Sequence, residues 1–223
     1  MQVFLGIVLV GGFFYWAYWY SKKLERERLE AFQQFAEQLK FDYLGDAPDA
    51  PGDTDDAALY LYTHGKNQKT THLIQGRTET LTVSMFDYKY ITGAGKNKQA
   101  YQQTVVAFEW HEPIFPRMGM RPYTFTRKVG ASVFGGNRTI FESFPAFQKH
   151  YWVDGNDPDY LQQWLTLSMM EYFVDRPGWC VEMDGQVVLI YQEMITQEAK
   201  NFQSFFDQCF AMFSMFKQRA IPE

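Results

Sequence analysis

The sequence predicts an α+β protein: an N-terminal transmembrane helix, then a mainly antiparallel sheet, with room for strong curvature, packed by two amphipathic helices. Three observations predict it. Every formally charged side chain follows residue 20. The middle of the chain is a succession of short β-type runs joined by tight turns, without the regular strand–helix alternation of a parallel sheet. The last third holds two stretches with helical apolar spacing.

The composition agrees. Of 223 residues, 46% are hydrophobic and 21% charged, which excludes wholesale disorder. A mean hydropathy of −0.35 excludes a multi-span transporter. Two cysteines exclude a disulfide-dense secreted scaffold. Residues 21–223 are enough for one sizeable domain.

Residues 3–20 read VFLGIVLVGGFFYWAYWY and form the expected anchor in the lipid bilayer. At 1.5 Å per residue they extend roughly 27 Å, close to the hydrocarbon thickness. Tyr15, Trp16, Tyr18, Trp19 and Tyr20 form an interfacial belt. Lys22, Lys23, Arg26 and Arg28 follow at once. A cleaved signal peptide would need a basic start and small residues at its cleavage site, and bulky aromatics stand there instead. The positive-inside rule then puts the chain in the inner (plasma) membrane as a single-pass protein, N-terminus outside and the C-terminal domain cytoplasmic. Gly6, Gly11 and Gly12 do not form a GxxxG dimerisation motif. In a reducing cytoplasm Cys180 and Cys209 are expected as free, buried thiols.

Leu29, Phe32, Phe35, Ala36 and Leu39 recur at helical spacing, so residues 21–40 are expected as a juxtamembrane helix. Residues 41–57, with six aspartates and two prolines, read as an acidic linker. Their aspartates lack the order of an EF-hand loop. The cytosolic α+β domain then spans 58–223. Strands are expected at Leu59–His64, Thr71–Gln75, Thr80–Ile91 and Gln103–Trp110, with weaker ones at Tyr123–Lys128 and Thr139–Glu142, and another at Phe147–Val153. Asp157-Pro158-Asp159 opens a helix whose inner face carries Leu161, Trp164, Leu165, Ser168, Met169, Tyr172 and Phe173. Asp184-Gly185 marks a hairpin between Trp179–Met183 and Gln186–Gln192. The last helix, expected from Thr196, presents a wide aromatic stripe including Phe202, Phe206, Phe210 and Phe213 toward the sheet.

The stretches Phe86-Asp87-Tyr88-Lys89-Tyr90, Gln103-Thr104-Val105-Val106, Trp179-Cys180-Val181-Glu182 and Val188-Leu189-Ile190-Tyr191 carry a resemblance. In them the chain resembles uncharacterised bacterial single-span membrane-anchored proteins with a cytosolic α+β domain. That group has no assigned activity, so the resemblance implies architecture and no mechanism.

No catalytic signature stands out. His64, His72, His111 and His150 form no metal-binding spacing, although His64 and His72 could meet across a hairpin. Gly93-Ala94-Gly95-Lys96 lacks the outer glycine and the hydroxyl residue of a phosphate loop. No Gly-x-Ser-x-Gly elbow occurs. Asp87 and Glu109 would form an acid–base pair only if neighbouring strands put them on one face. No cofactor is expected.

Charge is distributed more tellingly. Net charge is −5 over residues 21–63, +7 over 64–138 and −7 over 139–223. Between residues 113 and 141 stand Arg117, Arg121, Arg127, Lys128 and Arg138, with no acid. One reading pairs this basic middle with the acidic ends. The other turns these five residues toward anionic lipid headgroups or an unknown protein. A pI near 5.4 argues against nucleic acid. The sequence thus predicts a membrane-tethered cytosolic binding or scaffold module, with a membrane-tethered enzyme as the alternative.

Overall fold

Apolar spacing along the first forty residues produces one uninterrupted helix, α1, from Gln2 to Leu39. The computed structural model describes residues 2–54, 59–112, 114–123 and 138–220, with side chains from Tyr15 onward. Among the described residues no helix is long and apolar enough to cross a membrane. The apolar part of the expected anchor, residues 3–14, has no described side chains. What is described of α1 has two halves. Tyr15, Trp16, Tyr18, Trp19 and Tyr20 are all exposed, whereas Phe32, Phe35 and Ala36 are buried.

Eight antiparallel strands follow, in the spatial order β1-β2-β3-β4-β8-β7-β5-β6. They are β1 (Asp42–Ala47), β2 (Lys66–Arg77), β3 (Leu81–Thr92), β4 (Gln99–Trp110), β5 (Phe115–Pro122), β6 (Tyr151–Gly155), β7 (Trp179–Gly185) and β8 (Val187–Gln192). The expected antiparallel sheet is therefore present. Its longest ladder runs unbroken from Leu81↔Trp110 to Thr92↔Gln99. The β7–β8 hairpin falls where Asp184-Gly185 places it, with Gly185 at a φ of +59°.

Several elements differ from expectation. The acidic linker is partly strand: residues 42–47 pair with β2 as an edge, in spite of their aspartates. Alternate residues of this strand are exposed, so the charges remain in water. Leu59–His64 is no strand but a single helical turn, α2 (Tyr60–Thr63), laid over the sheet. Residues 147–150 lie in α3 (Pro145–His150), because Pro145 suits a first helical turn, and only 151–155 form strand. The helix after Asp157 is two, α4 (Pro158–Trp164) and α5 (Leu167–Asp175), since Thr166 caps the second by accepting from the Met169 amide. Beyond the Arg138 bridge to Asp154, Thr139–Glu142 is not strand. Of the expected strand 123–128, residues 124–128 lie outside the described residues, and β5 just before it had no expected counterpart. The last helix, α6, begins at Phe202, after a 3-10 turn at Ala199–Asn201.

The sheet has two unlike faces. α1, α4, α5 and α6 cover one with a phenylalanine-rich core that includes Phe32, Phe108, Phe173, Phe202, Phe213 and Phe216. The other carries Tyr88, Tyr90, Tyr101 and Tyr191 beneath Leu59, Leu61 and Tyr62 of the α2 segment. Cys180 and Cys209 are free and buried, and burial pushes both thiols up. Of the α6 stripe, Phe202, Phe206 and Phe213 are buried, but Phe210 is 43% exposed. At helical spacing it sits on the rim of the stripe.

Candidate functional site

Arg28 stands in the apolar stripe of α1, one turn before Phe32, and this brings a cation onto the sheet. Its Nε donates to Asp87 Oδ2 at 2.8 Å and its Nη2 to Asp87 Oδ1 at 2.7 Å. Nη2 also reaches Thr104 Oγ1 at 3.1 Å, and Nη1 donates to the Gln197 carbonyl. The Thr104 hydroxyl donates to Asp87 Oδ1 at 2.8 Å and accepts from the Gln197 amide at 2.9 Å. Phe32 and Phe202 flank the guanidinium, their ring centres 4.9 and 5.0 Å away. A planar, bidentate pair of this kind fixes direction as well as distance. One cation thus ties α1 to β3, to β4 and to the segment entering α6. Below it Phe35 packs on Phe202 and Phe206. The Phe41 ring lies so close to Gly76 that a Cβ there would come within 2.1 Å of it. The C-terminal half of α1, from Arg28 on, is therefore packed against the domain.

On the opposite face a second buried polar group clamps α2. Glu182 accepts from Tyr191 Oη at 2.6 Å and from the Leu61 amide at 3.1 Å. Burial pushes its carboxyl up, against the Tyr191 hydrogen bond and the nearby Arg121 charge. Arg121 lies 4.8 Å from the Tyr60 ring centre and 3.6 Å from Asp154, itself wholly buried. Trp152 Nε1 donates to the other oxygen of Asp154 at 3.0 Å.

Three members of the expected anion-facing set, Arg117, Arg121 and Arg138, are described, and each meets other groups of the chain. Arg121 is only 5% exposed and points into the domain. Arg117 is 3.5 Å from Asp184. Arg138 donates to the Gln148 carbonyl at 2.8 Å and stacks over Tyr123 and Trp152. Arg127 and Lys128 lie outside the described residues. Arg117 and Arg121 thus stand beside acids of the last third of the chain, Asp184 and Asp154, and of the three only Arg121 is buried.

Other candidates are also separated. Asp87 pairs with Thr104 and Glu109 with Thr82. Thr82 and Asp87 are five positions apart, an odd number, so the two carboxylates point to opposite faces. His72 stacks on Phe32 and faces the Tyr43 hydroxyl, while His64 stacks on Tyr60 across the sheet. Burial lowers both imidazoles. A cleft of about 360 Å³ is lined by Glu109, His111, Asp184, Gln186 and Thr54, and burial raises the Glu109 carboxyl. Among the described residues no three His, Cys, Asp or Glu are grouped to hold a metal ion.

Arg28 was hidden in the sequence as one of four bases after the aromatic belt. The signal that separates it is phase: it alone of the four shares the face of Phe32, Phe35 and Leu39. Glu182 gave only a weak sign, an acid inside a run that is otherwise apolar.

No protein-family model matches the chain, and no curated protein matches it. Among solved structures, the crystal structure of the mycobacterial trehalose monomycolate transport factor A, TtfA, is similar, with a TM-score of 0.59 at 11% identity. The match covers 87% of this chain and 98% of that one. At such identity the likeness is one of fold.

Proposed function

We propose that the protein is a membrane-tethered binding or scaffold module. Residues 3–20 anchor it in the inner (plasma) membrane, the N-terminus is outside, and the α+β domain is held in the cytoplasm. The observation that carries this reading is the continuity of α1. A half with exposed Tyr and Trp on every side runs without a break into a half packed in the core. Water is a poor environment for such a collar, and the headgroup level of a bilayer suits it. The bases beyond it give the orientation. A domain fused to its anchor holds its surfaces at a fixed height, which suits a partner in or on the same membrane. The name of the structural neighbour, a transport factor, supports an accessory role in membrane transport.

Fractionation and topology together test this reading. The full chain should sediment with membranes and resist extraction by high salt, and removal of residues 1–20 should release it. C-terminal fusions should be active only with cytoplasmic reporters. An active periplasmic reporter at that end overturns the orientation, and salt extraction of the full chain overturns the anchor.

A further inference from the structure

The contacts of α1 set the height of every strand beside it. Glu25 feels the charges of Lys69 and His72. Arg28 grips Asp87, Phe32 stacks on His72, and Phe41 covers Gly76. β2 therefore runs alongside α1 in the same direction, and β3 runs back toward the aromatic collar. Four strand residues and nine helix residues both cover about 13 Å. Counted from the Arg28–Asp87 contact, Ile91 and its partner Lys66 come level with Trp19. The β3–β4 turn, Gly93–Lys98, extends from there on the collar side.

This end of the sheet is basic. Lys66, Lys69, Lys89, Lys96 and Lys98 are all exposed. Residues 88–108 contain no acid. Lys69 and Lys89 stand directly opposite each other in the β2–β3 ladder, and like charges so placed cost stability. Of the nearby acids, Asp46 is taken up by Lys69 and Glu25 by Lys22, while Glu193 acts on the tyrosines of the other face. Lys69, Lys89 and Ile91 share the sheet face on which α1 runs, so these lysines flank the stalk rather than turn from it.

The geometry points to a lipid-headgroup surface made by Lys66, Lys89, Lys96 and Lys98 at the tip of the β2–β3–β4 sheet, which seats the domain on the anionic leaflet holding its own anchor. This rests on the tethered reading. It draws on lysines that the packing of α1 holds at headgroup height, where Arg117, Arg121 and Arg138 are engaged with Asp184, Asp154 and the Gln148 carbonyl. Lysine suits the task, being a hydrated, mobile point charge that needs no fixed partner geometry. Clustered bases gain most beside an anionic membrane surface and lose that gain as salt screens it.

The test uses the full chain in nanodiscs of phosphatidylcholine alone or with about one third phosphatidylglycerol. Acylation of each lysine amine is followed by mass spectrometry, with Lys217, over Trp110 at the far end of the sheet, as reference. In anionic discs at low salt, Lys66, Lys89, Lys96 and Lys98 should react at least about threefold more slowly than in neutral discs, and high salt should remove the difference. Slowing confined to Lys22 and Lys23 leaves the tether standing and overturns the headgroup surface. A chain that enters neither disc overturns both. The exposed double variant Lys96→Gln/Lys98→Gln should weaken the protection of Lys89, and full protection in that variant also counts against the proposal.

Discussion

Each face of the sheet pairs an arginine with a buried acid, and the two are held in different ways. On the helix face Arg28 meets Asp87 through two short, parallel hydrogen bonds, with Thr104 completing the carboxylate and two phenyl rings closing over the cation. On the tyrosine face Arg121 stands 3.6 Å from Asp154, and a second acid, Glu182, accepts its hydrogen bonds from Tyr191 and Leu61 instead. The first site joins elements distant in sequence through one geometry. The second spreads charge among several groups and pins a single helical turn. One face is built to transmit the orientation of α1, and the other to keep a cover segment in place.

The largest effect should come from breaking the first site. Asp87→Ala leaves a part-buried guanidinium and the Thr104 hydroxyl without their partner and should cost about 2–4 kcal/mol in denaturant unfolding. Amide exchange in residues 28–39 should rise with it. If α1 keeps its protection while the domain is destabilised, the pair is not what joins helix to sheet. The comparison sharpens with the double variant Arg28→Met/Asp87→Met. Removing both charges avoids the orphaned cation, so most of the lost stability should return. Recovery of stability without recovery of α1 protection would show that the charge pair specifies the helix direction.

The tyrosine face should respond less. Tyr191→Phe removes one donor from the buried Glu182 carboxylate and should cost about 1–3 kcal/mol. Protection of α1 should not change. The smallest effect concerns pH. Burial holds the Glu182 carboxyl above its ordinary value, so the folded state disfavours its charge. Its contribution is full below the ordinary carboxylate value and is lost as pH rises through the folded value. Glu182→Gln cannot ionise. Its stability relative to the original chain should therefore improve from mildly acid to mildly alkaline pH, in paired thermal unfolding curves. A constant difference across that range would mean that Glu182 is ionised throughout.

Much of the scaffold was readable from local pattern. Alternating β-branched and aromatic residues marked β3 and β4, Asp184-Gly185 marked the β7–β8 turn, and Asp157-Pro158 marked the start of α4. Where the reading failed, a competing signal was at work. Aspartates argued for a linker over residues 42–47, but an edge strand can keep its charges in water. Leu59–Tyr62 carries apolar residues suited to a strand, yet it packs as a single turn whose Leu61 amide is held by Glu182. Met118, Gly119 and Met120 gave β5 no strong β propensity, and its place between β7 and β6 comes from pairing alone.

The candidate site was less legible for a simple reason. Charge counts along a chain say which segments are basic, not where their side chains point. By itself the sequence determined the charge-free start, the aromatic collar, the α+β class and the apolar stripes of α1 and α6, because these depend on periodicity and composition within one element. Only the tertiary structure decided that Arg117 and Arg121 stand beside Asp184 and Asp154, that Arg28 pairs with the buried Asp87, and that lysines of β2, β3 and the β3–β4 turn come to one end of the sheet. Those outcomes depend on strand order, register and the height at which α1 is locked. These are relations between residues far apart in the chain, such as the Arg28–Asp87 ion pair and the Phe32–His72 stack.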